Sequence, residues 1–137
     1  MSITIKDLGC TDYLNTWQDM KYFIDQSPIK DELWITEHPP IFTTGVNKRN
    51  CTTPDTDIPH LFVDRGGKIT YHGPGQLIIY TLINIKKNNL TIRQLVSILE
   101  NSIIDFLMQN KINSYSKKEA PGVYINEKKI CSIGLRI

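Results

Sequence analysis

Arg65-Gly-Gly-Lys-Ile-Thr-Tyr-His-Gly-Pro-Gly-Gln76, followed at once by the apolar run Leu77 to Ile85, is the stretch from which the rest of the chain is read. Gly66 and Gly67 have no side chains and tolerate φ > 0, so the backbone can approach a ligand and offer its N–H groups as donors. Gly73-Pro74-Gly75 reads as a rigid turn, and Ile69-Thr70-Tyr71 between the glycine clusters as a short strand with His72 at its lip. Two glycine clusters around Thr-Tyr-His, directly before a buried strand, describe a pocket rather than a simple hairpin connection. The spacing is neither Gly-x-x-x-x-Gly-Lys-Ser/Thr nor Gly-x-Gly-x-x-Gly, so it is not a nucleotide-phosphate loop of either kind. The near-continuous apolarity of Leu77 to Ile85 predicts a strand covered on both faces and central in its sheet.

Working outward, Leu61 to Asp64 reads as a short strand entering this loop, and Val46 to His60 as a long surface loop with no apolar period. Ile41 to Thr44 and Glu32 to Glu37 are strands separated by His38-Pro39-Pro40, with Gly45 closing the first of them. Residues 2 to 8 alternate as a strand that Gly9 ends. Thr11 or Asp12 caps a helix whose stripe is Leu14, Trp17, Met20 or Lys21, and Ile24, and Ser27-Pro28 stops it. Beyond the apolar run, Thr91 with Gln94 forms a capping box. From there Ile92, Leu95, Val96, Leu99, Ile103, Phe106 and Leu107 follow one helical face to about Asn110. Ile112 to Ser116 is a further strand, and Val123-Tyr124-Ile125 and Lys129 to Ile137 form a hairpin about Asn126-Glu127-Lys128. The elements predict an α/β (α+β) fold, a mixed β-sheet flanked by two helices, in a single domain over residues 1–137.

Composition excludes several classes. The chain has 137 residues, 40% apolar and 22% charged, with a net charge of +2, which is too slight to indicate a nucleic-acid partner. No segment approaches the length of a membrane span and the N-terminus is not laid out as a signal peptide, so a cytoplasmic protein without a membrane partner is expected. Cys10, Cys51 and Cys131 lack Cys-x-x-Cys, and His38, His60 and His72 lack metal-ligand spacing; neither a disulfide framework nor a metal site is expected. The lysine pairs 86–87, 117–118 and 128–129 are solvated turn residues or a means of steering an acidic partner.

A second cluster lies in Lys129-Ile-Cys-Ser-Ile-Gly134. A period of two places Lys129 with Cys131, and a lysine beside a thiol favours the thiolate. By residues alone the pair is either a nucleophile with its activator or a surface lysine above a half-buried cysteine.

Arg65-Gly-Gly-x-x-Thr-Tyr-His-Gly-Pro-Gly-Gln76, Ala120-Pro-Gly-Val-Tyr124 and Lys128-Lys-Ile-Cys-Ser-Ile-Gly-Leu-Arg136 together resemble the octanoyltransferase family, often called lipoate-protein ligase B. The resemblance extends to Glu37-His38-Pro39 and to the order of elements. It implies the biotin/lipoate protein ligase-like fold and transfer of an octanoyl or lipoyl group from acyl carrier protein through a cysteine thioester, with no cofactor and no ATP. The acceptors it implies are the lipoyl domains of 2-oxoacid dehydrogenase complexes and the glycine cleavage H protein. It also implies that Arg65, Gly66, Gly67, Lys68, Ile69, Thr70, Tyr71 and His72 line the acyl-donor pocket, that Ser132, Ile133 and Gly134 bound it, and that Lys129 lowers the pKa of the nucleophile. The family's nucleophile lies in a Pro-Cys-Gly segment beyond the Leu-Arg strand. The chain is therefore expected to be the N-terminal two-thirds of a longer protein and inactive alone. Competing readings are an ATP-dependent lipoate or biotin ligase and a non-catalytic remnant that binds an acyl chain or a carrier protein.

Overall fold

The computed structural model describes residues 2–47, 49 and 51–137. Contacts group them into two compact units, one running to Asn84 and taking in Arg136–Ile137, the other Ile85–Leu135. The loop reading for Lys48 and Asn50 lies outside the described residues.

The first unit begins with β1 (Ile3–Cys10), α1 (Tyr13–Asp25) and β2 (Asp31–Glu37). β1 pairs in parallel with β2, and β2 pairs antiparallel with β6 (Ile78–Leu82). β2 is thus the middle strand, and the expectation that the apolar run would be central is overturned: Leu77 is 64% and Ile79 43% exposed. β1 also continues through Gly9. The register steps from Asp7↔Ile35 to Gly9↔Thr36, so Leu8 is an extra residue in a bulge, with Gly9 at φ +66 and its N–H donating to Asp7 Oδ1.

Asp12 caps α1 by accepting from Asn15 N–H at 3.0 Å. The buried face of that helix is Tyr13, Thr16 and Met20, while Leu14 and Ile24 of the expected stripe are exposed. A hydroxyl network explains the rotation. Thr16 Oγ1 donates to Thr11 Oγ1, Thr11 and Thr36 hydroxyls lie 2.6 Å apart, and Thr36 Oγ1 donates to Gly9 O, so polar contacts select the inward face.

A second ladder in this unit runs β4 (His60–Phe62), β3 (Ile41–Thr44), β5 (Ile69–His72), with β3 parallel to β4 and antiparallel to β5. The register Thr43↔Thr70 and Ile41↔His72 fixes where the residues of the glycine-rich stretch lie along β3.

The second unit holds α2 (Ile92–Gln109), β7 (Tyr115–Ser116), β8 (Gly122–Ile125) and β9 (Lys128–Ser132), the strands antiparallel in the order β7-β8-β9. Both halves of the Thr91–Gln94 capping box form. Leu95 is buried as its place in the stripe requires, but Ile92 and Phe106 are exposed, and Glu100 is buried. Asn126 and Glu127 both have positive φ, the geometry of a two-residue hairpin turn, and Lys128 already pairs with Ile125. β9 ends at Ser132 instead of continuing to Ile137. Among the described residues the expected mixture of β-structure with two helices is present, arranged as three three-stranded ladders, two mixed and one antiparallel.

Candidate functional site

In the first unit the loop 65–68 is laced to the segment after β3. Val46 N–H donates to Arg65 O, Asn47 N–H to Gly67 O and Gly45 N–H to Lys68 O. The approach is close enough that a Cβ on Gly45 would stand 2.5 Å from Gly67 O and 2.6 Å from Arg65 O, so only glycine fits there. Gly67 takes φ +93. The sequence pointed to the amides of this loop as ligand donors; these contacts use its carbonyls.

Arg65 is the keystone. Nη1 donates to Gly66 O at 2.8 Å and Lys68 O at 2.9 Å, while Nη2 donates to Thr43 O at 3.0 Å and Thr43 Oγ1 at 2.8 Å. Four terminal N–H groups meet four acceptors, leaving Nε–H as the one further donor of a guanidinium. Burial pushes this guanidinium below its ordinary value, partly offset by the Tyr13 and Tyr80 phenols. Sequence reading missed Thr43, fully buried and central to this contact, because a threonine in a strand carries no signal of its own.

His72 leaves β5 with Nδ1 donating to Gln76 Oε1 at 2.7 Å, and Gln76 Nε2 donates to Tyr71 O. Gly75, at φ +85, donates its N–H to Glu37 Oε2, so Gly73-Pro74-Gly75 is a pinned turn. The Tyr13 ring stacks on His72 with centroids 5.7 Å apart and meets His38 edge-on at 5.1 Å. His38, fully buried, faces the Thr11 carbonyl, which can only accept. Its Nδ1 therefore donates there at 2.6 Å, and its Nε2 accepts from the Tyr80 hydroxyl at 2.7 Å. Burial raises the Tyr80 and Tyr13 phenols and lowers His72, so the cluster favours uncharged rings. Lys68 and Tyr71 are exposed, and Ile69 and Thr70 half-buried. An open cleft of about 410 Å³ lies where β1 and β2 end, lined by Gly9, Cys10, Ile35, Glu37 and Leu77 among others, and by none of residues 65–72.

In the second unit the Ala120-Pro-Gly-Val-Tyr124 segment seats Lys129. Lys129 Nζ donates to Pro121 O at 3.0 Å and stands 5.4 Å from the Tyr124 ring centroid. The lysine stem crosses Gly122, where Cε would be 3.1 Å from an added Cβ. Tyr124 is held by its hydroxyl donating to Ala120 O and by the Tyr115 ring stacked on it at 5.9 Å. Lys117 lies over the same ring at 4.6 Å and is itself paired with Glu127 at 2.9 Å.

The expectation that Lys129 and Cys131 share a strand face is overturned. Val123 pairs with Cys131 but Tyr124 with Lys129, so Ile130 is an extra residue in a bulge. Directly opposed residues share a face. Cys131 therefore lies with Val123, and Lys129 with Tyr124, Gly122 and, through Gly122, Ser132. Burial pushes the Cys131 thiol up, with nearby Lys129 only partly opposing it, so its thiolate is disfavoured. Ser132 and Gly134 are exposed and Ile133 half-buried. Glu100 also escaped the sequence reading, although a carboxylate four residues after Val96 and three before Ile103 on an apolar stripe is a signal of a paired buried acid.

Residues 12–137 match the lipoyl protein ligase A/B catalytic domain family. Among curated relatives, the octanoyltransferase of Shewanella frigidimarina (strain NCIMB 400) is 52% identical over 139 aligned positions, and that of Shewanella oneidensis MR-1 48% identical over 139. Each comparison covers 99% of this chain, which spans 64% of the relative's length. Of solved structures, P. falciparum LipL1 in complex with lipoate superposes with a TM-score of 0.66 at 12% identity, over 93% of this chain and 42% of that one. Ta0514 of T. acidophilum, assigned as a lipoate protein ligase, gives 0.65 at 14% identity, over 95% of this chain and 60% of its own. At such identities the likeness is one of fold, and it is the ligase-like fold that the sequence implied.

Proposed function

The chain belongs to the lipoyl protein ligase A/B catalytic domain family, and on that basis we propose that its activity is that of an octanoyltransferase. The observation that carries this reading is the identity of about half to proteins named octanoyltransferase across 99% of the chain. The reaction we assign moves an octanoyl or lipoyl group from acyl carrier protein to a lysine ε-amine of lipoyl domains, including those of 2-oxoacid dehydrogenase complexes and the glycine cleavage H protein, in the cytoplasm. A cysteine thiolate attacks the carrier thioester, the carrier thiol leaves, and the acceptor amine then displaces the enzyme sulfur, giving the amide and restoring the thiol.

We assign Arg65 through His72 and Ser132 through Gly134 to the acyl donor. Arg65 acts by building the loop that its own carbonyls and Thr43 hold. Lys129 as the ammonium favours the thiolate, gives its proton to the departing carrier thiolate, and as the free amine then receives one from the incoming lysine. Cys131, facing away from Lys129 with a raised thiol, is unsuited to be that nucleophile, and we place the attacking cysteine in the part of the family's length that this chain does not span.

The test is a titration of the isotopically labelled chain with acyl carrier protein. The octanoyl-loaded carrier, and not the unloaded one, is expected to move the amide resonances of residues 65–72 and 132–134. No response to the loaded carrier, or lipoate-dependent exchange of pyrophosphate into ATP as a ligase would catalyse, would overturn the assignment.

A further inference from the structure

The peptide joining Pro121 to Gly122 is engaged on both edges. Its N–H, that of Gly122, donates to Glu100 Oε1 at 2.9 Å, and its C=O, that of Pro121, accepts from Lys129 Nζ at 3.0 Å. These two groups belong to one planar, resonance-coupled amide. A carboxylate drawing on the N–H increases electron density at the carbonyl oxygen, and an ammonium at the oxygen makes the N–H a better donor. The two charge-assisted bonds strengthen one another.

Glu100 itself is the anomaly that needs this link. It is 8% exposed on α2, where a carboxylate is rarely found without compensation, and among the described residues no lysine or arginine forms an ion pair with it. Its charge is answered across the peptide instead of by contact. Gly122 completes the device: φ +139 aims the amide between the two partners, and the missing side chain leaves room for the Lys129 stem.

We propose that Glu100 is a positioning residue for Lys129, holding the ammonium through the Pro121–Gly122 peptide without touching it. The consequence for catalysis rests on the role assigned to Lys129 above; the coupling itself does not. Amide hydrogen exchange and carbonyl chemical shifts of the chain test it with no acyl donor present, so a failed coupling is distinguishable from a failed transfer assignment. Glu100→Gln keeps the shape and removes the charge, and exchange at the Gly122 amide is expected to accelerate about tenfold. Lys129→Met alters an exposed side chain on the far edge of the peptide. It is expected to accelerate Gly122 exchange about two- to threefold and move the Pro121 carbonyl resonance, with the Val123 and Tyr124 amides unchanged. A Gly122 amide that responds to Glu100→Gln but not to Lys129→Met would make Glu100 a local cap and overturn the proposal.

Discussion

Two cations in this molecule are each seated on backbone carbonyls, and they are seated differently. Arg65 is half-buried and spends four N–H groups on Gly66 O, Lys68 O and both oxygens of Thr43. Lys129 is exposed and, among the described residues, donates to a single carbonyl, that of Pro121, above one face of Tyr124. A saturated guanidinium is a structural post: its capacity to bind anything else is nearly exhausted, and removing it takes four hydrogen bonds from the Gly66 and Lys68 carbonyls and the two Thr43 oxygens. An ammonium with one fixed partner is oriented yet keeps two N–H groups and the freedom to lose a proton. The difference separates the residue that shapes the glycine loop from the one suited to proton transfer.

Glycine substitutions would break the two seats unequally. Gly122→Ala combines a positive φ with a Cβ driven against Cys131 O, and is expected to cost about 4 kcal/mol in urea unfolding. Gly45→Ala meets the carbonyls of Gly67 and Arg65 without the φ penalty and is expected to cost about 2 kcal/mol, loosening the Arg65 loop. Equal costs would mean that the hairpin is not the more constrained seat.

The ring cluster beside the arginine gives a pH signature. Burial lowers His72, so the unfolded chain takes up that proton more readily than the folded one. Its contribution to stability is then fully present above the unfolded value, near 6.5, and is lost as pH falls below it. Urea midpoints measured from about pH 7.5 down to about pH 5.5 should fall. The fall should be shallower in His72→Asn, and an unchanged slope in that variant would remove His72 from the explanation. The smallest effect concerns the thiol near Lys129. Because burial raises Cys131 and the bulge turns it from the lysine, iodoacetamide at pH near 8 should alkylate exposed Cys10 several-fold faster. A faster reaction at Cys131 would restore it as a nucleophile.

These features were unevenly legible in the sequence. The turn at Gly73-Pro74-Gly75, the capping box at Thr91 and Gln94 and the order of strands follow from local rules that tertiary contacts did not override. The Lys129–Cys131 relation failed because the period of two holds only in an unbroken ladder, and nothing in Lys-Ile-Cys announces a bulge at Ile130. The α1 stripe failed because threonine hydroxyls, which count as polar in a pattern, satisfy one another inside and carry Tyr13 inward with them. The apolar run departs from its pattern for a related reason: Leu77 and Ile79 are apolar without being covered. Thr43 acts through a contact 22 residues away in the chain, a distance at which pattern reading has no reach; the place of Glu100 on the apolar stripe is legible as a buried acid, but its partner, also 22 residues away, is not.

Urea unfolding of Arg65→Met and Lys129→Met, measured beside the wild type, tests the division between the two cations most directly. A loss of about 3 kcal/mol for Arg65→Met, with the buried Thr43 losing its charged donor, and of no more than about 0.5 kcal/mol for Lys129→Met is the expected result. Equal losses, or the greater loss at Lys129, would contradict it.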